Sequence, residues 1–149
     1  MKKQISVALL GLALLFASAA VASAQAAAAM RIHVPFDFVA GKKLLRAGDY
    51  SVRRVSDAAA SGLIIQREDG GDAAVVITNA NGGAPSRAAL TFRQYGEHYF
   101  LAEVSIPGTA SVRRLPKDGA EKKAERETVE EAANGGGEAR TVTVVGSVR

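Results

Sequence analysis

The chain has 149 residues, 48% hydrophobic and 23% charged, with a formal net charge of +4 and no cysteine. That length fits one domain. The lack of cysteine excludes a disulfide framework, a thiolate nucleophile and Cys-ligated zinc.

Lys2 and Lys3 begin the chain, an apolar run interrupted only by Gly11 and Ser18 follows over residues 7–22, and Ala22-Ser23-Ala24 has the small-x-small form of a signal-peptidase site. Residues 1–24 therefore read as a signal peptide. Ala24-Gln25-Ala26 offers a second cleavage site, after Ala26. Residues 25–30 read as a flexible lead-in. The apolar run is short for a bilayer span, so no stable transmembrane segment is expected after cleavage. Loss of Lys2 and Lys3 lowers the balance of 19 basic and 15 acidic residues from +4 to +2, and that charge gives no reason to expect nucleic acid as a partner. The expected location is the periplasm or the extracellular space.

Residues 31–39 alternate as a half-buried strand, with Ile32, Val34, Phe36 and Phe38 on one face and Arg31, His33 and Asp37 on the other. Pro35 removes a backbone donor, which implies an edge position or a bulge. A turn at Gly41-Lys42-Lys43 leads to a short apolar pair, Leu44-Leu45, and a second turn at Ala47-Gly48-Asp49. Residues 50–55 form the next strand, with Tyr50 and Val52 inward.

The segment Leu63–Thr78 reads as a hairpin around Glu68-Asp69-Gly70-Gly71-Asp72. A two-residue type I′ turn at Asp69-Gly70 pairs Ile64 with Val75 and Leu63 with Val76. Both of its faces are apolar, so these strands are central or are covered by the C-terminal segment or another subunit. Residues 79–86 read as an irregular loop. Residues 88–94 and 98–106 form a further hairpin. A two-residue turn sets Leu90 opposite Glu103. A three-residue turn at Tyr95-Gly96-Glu97 sets Phe92 opposite Phe100 and Leu90 opposite Ala102, and it is preferred because it keeps Leu90, Phe92, Phe100, Ala102, Val104 and Ile106 on one face. A short strand over 110–115 ends at Pro116.

Residues 118–133 suit a helix with Asp118 as N-cap and Glu121 completing a capping box. Its apolar side, Ala120, Ala124 and Val129, is thin, and disorder is the alternative. Asn134 and three glycines stop it, and residues 141–145 form a last strand candidate. The expected organisation is a β domain over 31–116, a charged helical or disordered segment over 117–137, and a C-terminal strand within 138–149 that returns to the β domain.

Candidate chemistry is sparse. His33 and His98 are the only histidines, and two isolated imidazoles without a third ligand make neither a metal site nor, with Asp37, a convincing acid–base pair. No G-x-S-x-G elbow occurs. Asp37, Glu97 and Glu103 supply carboxylates of the kind any chain this size contains. No glycine run is followed by Lys-Ser/Thr, so no phosphate loop is present. Arg53-Arg54 and Arg113-Arg114 split across strand faces, which suits solubilising residues more than a basic patch. Tyr50 reads as core or rim. The ligand-binding candidates are Tyr95, Tyr99, Arg93 and His98, aromatic and polar groups that could meet a glycan on a concave sheet. No catalytic residue, metal ligand or cofactor is assigned.

The runs Val34-Pro35-Phe36-Asp37-Phe38, Gly41-Lys42, Leu45, Ala47-Gly48 and Tyr50-Ser51-Val52 are followed by Leu90-Thr91-Phe92, Tyr95-Gly96 and residues 99–104, YFLAEV. Together they resemble the signature of a family of small exported β-proteins common in Acidobacteria. The resemblance spans roughly residues 31–115. Arg46 stands where members carry a proline, which loosens that turn. The resemblance implies export and a β fold and assigns no active residue.

The expected fold is all-β, a compact antiparallel β-sandwich or small β-barrel of about seven strands with a late charged helix. The expected function is that of a secreted or periplasmic, non-catalytic structural or binding protein. A small carrier of an apolar or glycan ligand and a hydrolase are the alternatives. The expected partners are a cell-envelope component or a second copy meeting the Leu63–Thr78 hairpin.

Overall fold

The computed structural model describes residues 30–56, 61–136 and 138–148. The signal-peptide segment 1–24 and residues 25–29 of the lead-in lie outside the described residues. The chain runs β1 (Met30–Val34), β2 (Phe38–Ala40), β3 (Lys43–Leu45), β4 (Gly48–Arg54), β5 (Gly62–Arg67), β6 (Ala73–Ile77) and β7 (Asn79–Asn81). It continues as β8 (Ala89–Tyr95), β9 (His98–Ser105), β10 (Val112–Arg114), helix α1 (Gly119–Ala133), β11 (Arg140–Val145) and β12 (Ser147–Val148).

The strands form two sheets. One has the order β12-β1-β4-β5-β6, and the other has the order β11-β8-β9-β10-β7 with β2 and β3 attached through β9. Pairing is antiparallel except where β2 meets β9 in parallel at Val39 and Phe100. The mixed sheet curls through 223° into a half-barrel, with α1 as the one late helix. Among the described residues twelve short strands replace the expected seven or so because bends divide them. Pro35 separates β1 from β2, Thr78 separates β6 from β7, and Gly146 separates β11 from β12. Each bend carries the chain from one sheet into the other. The expected single strand over 31–39 is thus two strands in different sheets. Residues 79–81, expected as loop, are β7, paired with β10. Met30, expected in the lead-in, starts β1 and is fully buried.

Alternation places the core. Ile32 and Val34 on β1, Tyr50 and Val52 on β4, and Leu63 and Ile65 on β5 point into the space between the sheets. From the other side come Phe38, Leu90, Phe92, Leu101 and Val104. Phe38 sits 5.2 Å from Phe92 and 5.3 Å from Tyr50, ring centre to ring centre and edge to face. Phe36 packs edge-on to Phe92 at 5.1 Å and stacks on Tyr99 at 3.9 Å. These rings fill the interior with mutual contact. The buried Tyr50 hydroxyl donates to the Arg46 carbonyl, which fixes the turn before β4.

The β5–β6 hairpin has the expected register, Ile64 opposite Val75 and Leu63 opposite Val76. Its turn differs. The ladder closes where the Arg67 N–H donates to the Asp72 carbonyl at 2.8 Å, and the Gly70 N–H donates to the Arg67 carbonyl at 3.2 Å. The loop is therefore residues 68–71, not a type I′ pair.

The β8–β9 register overturns the preferred alignment. Tyr95 lies opposite His98 and Phe92 opposite Leu101, so the turn is the two-residue Gly96-Glu97. Gly96 has φ of +57°, the requirement of a type II′ turn at its first position. A register shift then intervenes between Thr91 and Phe92, and Leu90 faces Val104. One extra residue on β9, Ala102, forms a β-bulge there. The bulge lets a tight turn coexist with an apolar inner face. It also sends Phe100 to the opposite face from Leu101 and Val104.

Helix α1 forms over residues 119–133, and the Glu121 N–H donates to Asp118 Oδ1 at 2.8 Å, the N-cap bond. The reciprocal half of the capping box is absent, because the Glu121 carboxylate is used elsewhere. The helix faces the sheet with Glu121, Ala124, Glu125 and Thr128, while Ala120 and Val129 point to solvent. Of the expected apolar side, only Ala124 faces the sheet.

At Gly146 the site of an added Cβ lies 2.5 Å from the Arg31 carbonyl oxygen and 3.0 Å from Ile32 Cβ. Gly146→Ala must push β1 and the C-terminal strand apart. We expect a loss of about 1–3 kcal/mol in unfolding free energy, measured by urea denaturation followed by circular dichroism.

Candidate functional site

Strand alternation separates the four ligand-binding candidates. Arg93 and Tyr95 project from β8 to the outer face, toward α1, and His98 pairs with Tyr95 across the turn. Tyr99 points to the other face, where it stacks on Phe36. Arg93, Tyr95 and His98 are neighbours; Tyr99 does not join them.

Around Arg93 the polar groups are fully engaged. Its guanidinium makes a two-pronged contact with Glu121, through Nε to Oε1 and through Nη2 to Oε2 at 2.9 Å. Such bidentate pairs are the strong form of the interaction. The Tyr95 hydroxyl donates to Glu121 Oε1 at 3.4 Å. The Lys117 ammonium lies 6.0 Å above the Tyr95 ring and also bonds Glu125. Burial pushes the Tyr95 phenol above its ordinary value of 10.0, a neighbouring Lys117 hydrogen bond works against that, and the Glu121 charge adds to it. The bond to Glu125 holds Lys117 above the ordinary lysine value. Glu121 was not among the expected site residues, yet its side chain is only 4% exposed. Its one signal in the sequence is its place three residues after the N-cap.

His98 is exposed at the hairpin tip, beside a cleft formed with Tyr95, Ala124, Glu127, Thr128 and Glu131. Glu103 pairs with Arg114 across β9 and β10. Asp37 does not meet His33. Its carboxylate accepts the Ala47 N–H at 2.7 Å and so braces the turn before β4.

His33 instead meets Asp49 across β1 and β4, Nδ1 to Oδ1 at 2.8 Å, in a shallow cleft that Ser147 also lines. A histidine oriented by a carboxylate beside a serine has the residue types of nucleophilic catalysis. Here both side chains of the pair are 66% exposed. The other lining groups include Arg31 and Glu68, themselves joined at 3.0 Å. The cleft thus lies open on the flat outer face of the sheet, without the water-excluding walls that give such a constellation its power. Among the described residues no group of three or more His, Asp or Glu side chains is placed to hold a metal ion. No buried side-chain nitrogen or oxygen among them lacks a partner, so no polar group waits in the interior for a ligand.

Tyr50 and Tyr95 both ionise above 10.0 in the folded protein, chiefly because burial disfavours the phenolate. The unfolded chain loses these protons first. The stability they contribute is complete below pH 10.0 and is lost as pH rises through the folded values. Tyrosinate absorbance during alkaline titration should show late ionising steps, and Tyr95→Phe should remove one of them.

No protein-family model matches this chain, no curated protein is significantly similar to it, and no solved structure is a significant match, so the reading of its function rests on its own geometry.

Proposed function

We propose that this is an exported, non-catalytic protein of the cell envelope or periplasm that acts by surface contact, as a structural or binding component. On this reading it belongs with the small exported β-proteins common in Acidobacteria whose motifs it resembles, and residues 1–24 are removed on export. A filled aromatic core supports this reading over a carrier with an internal apolar ligand. The open His33–Asp49 pair gives a hydrolase little to work with.

The observation that carries the proposal is the outer face of β4, β5 and β6. Arg53, Ile64 and Val75 form one row across these strands. Val55, whose N–H donates to the Gly62 carbonyl at 3.0 Å, forms the next row with Gly62 and Ile77. Val75 is 69% and Ile77 73% exposed. β-branched residues bared side by side on a folded sheet mark a contact surface. The outer face of the hairpin over residues 63–78 would meet a second copy of the chain by packing face to face.

Sedimentation of the mature protein should show concentration-dependent self-association. The double variant Val75→Lys, Ile77→Lys should weaken it at least about ten-fold, because each aliphatic side chain withdrawn from water is worth about 1.5–3 kcal/mol. A wild-type chain that sediments as a monomer at every concentration would overturn the self-association. Intact-mass analysis of periplasmic and secreted fractions tests export directly. Retention of residues 1–24 would sink that part of the reading.

A further inference from the structure

We propose that α1 is a strap, tethered at both ends, that lifts off the outer face of β8 as a unit while both sheets remain folded, uncovering Tyr95. The two surfaces that meet there are mismatched. On the sheet side, Tyr95 and Phe100 are 3% and 6% exposed, with ring centres 5.8 Å apart. Neither belongs to the main core cluster between the sheets. Tyr95 instead is covered from outside, by Lys117 over its ring and by Ala124 and Thr128 beside it.

On the helix side the covering stripe is Glu121, Ala124, Glu125 and Thr128. Its one apolar member is an alanine. An amphipathic helix normally docks by an apolar stripe. This one is held by the Arg93–Glu121 pair, the Tyr95–Glu121 bond and the Lys117–Glu125 pair. Past Thr128 every described helical residue is exposed. Once the Arg93–Glu121 pair parts, little apolar burial holds the helix down. A helix of 15 residues is marginal by itself in water, so lifting and melting are coupled.

The tethers make this a local event. Before the helix, the Leu115 N–H donates to the Ala102 carbonyl at 2.8 Å, and Leu115 is 3% exposed. After it, β11 pairs with β8 along its whole length, from Arg140 to Val145. The segment between can leave and return without opening either ladder, the condition for a cooperative unit less stable than the whole.

Native-state hydrogen exchange of the full mature chain, read by mass spectrometry, tests the strap. Amides of residues 119–133 should exchange at least about a hundred-fold faster than those of β4 and β5, whose opening requires global unfolding. Glu121→Gln leaves the Arg93 charge unpaired and should speed α1 exchange at least about ten-fold, with β4 and β5 unchanged. Val129→Asp, on the exposed side, should leave the docked state as it is. Should Glu121→Gln fail to fold, Arg126→Gly, on the exposed side, weakens the helix alone and should speed α1 exchange about five-fold. Acrylamide quenching of tyrosine fluorescence should rise in step with α1 exchange. Exchange of α1 at the rate of β4 and β5, in the wild type and in the variant that folds, would overturn the proposal.

Discussion

Gly146 passes so close to β1 that no side chain fits between them, and the joining of the two sheets on that side depends on this contact. The residue ends β11, which belongs to one sheet, and starts β12, which belongs to the other. Its own N–H donates to the Ala88 carbonyl at 2.9 Å, so the crossing is bonded to β8 as it leaves it. On the opposite flank Thr78 does the equivalent work. Its N–H and its hydroxyl both donate to the Ser61 carbonyl, at 2.8 and 2.9 Å, and it is buried. Two bent strands thus hold two sheets face to face, and the aromatic cluster of Phe36, Phe38, Tyr50 and Phe92 fills the gap they define.

Outside that core the molecule uses polar forces. The helix rests on the sheet through arginine, glutamate and tyrosine, Arg31–Glu68 ties β1 to the loop after β5, and His33–Asp49 ties β1 to β4. The buried, bidentate Arg93–Glu121 contact has the geometry to matter for position. The exposed pairs contribute about 0–1 kcal/mol each. The aliphatic rows on β4, β5 and β6, with Val75 69% and Ile77 73% exposed, are the part of the described exterior least suited to water.

Much of this was legible in the sequence wherever one physical rule acted alone. Period-two alternation placed Ile32, Val34, Tyr50 and Val52 correctly, and centring the turn of residues 63–78 on Asp69-Gly70 gave the right register although the loop itself is longer. The late helix and its Asp118 cap were legible from local chemistry. Reading failed where two rules competed. A continuous ladder in β8 and β9 demands a choice between a tight turn and an apolar inner face. The bulge at Ala102 satisfies both, and an alanine carries no mark of that role. Pro35 was read as an irregularity within one strand, whereas it is the corner between two sheets, a difference that tertiary packing alone decides. Glu121 was read as a capping residue because its nearest acceptor and donor in sequence are local. Its actual partner, Arg93, lies on a strand that only the fold brings near. Of the ligand candidates only Tyr99 stands apart, because the two-residue turn sets Phe100, not Tyr99, on the face of Arg93.

The β2–β3 hairpin runs alongside β6 without forming a ladder. The Arg46 N–H reaches Asp72 Oδ2 at 3.5 Å, and a side chain at Gly41 would lie 3.5 Å from Val76. Lys42 and Lys43, which follow Gly41, are exposed and positively charged. β6 itself reads AAVVI, with no charge and no proline, the composition of a segment that recruits further strands into fibrils. The hairpin therefore packs on that margin of the sheet and carries two cations, residues of the kind that discourage such pairing. A chain that lost this hairpin would lose Phe38, Ala40 and Leu45 from its core and bare a template for aggregation at the same stroke.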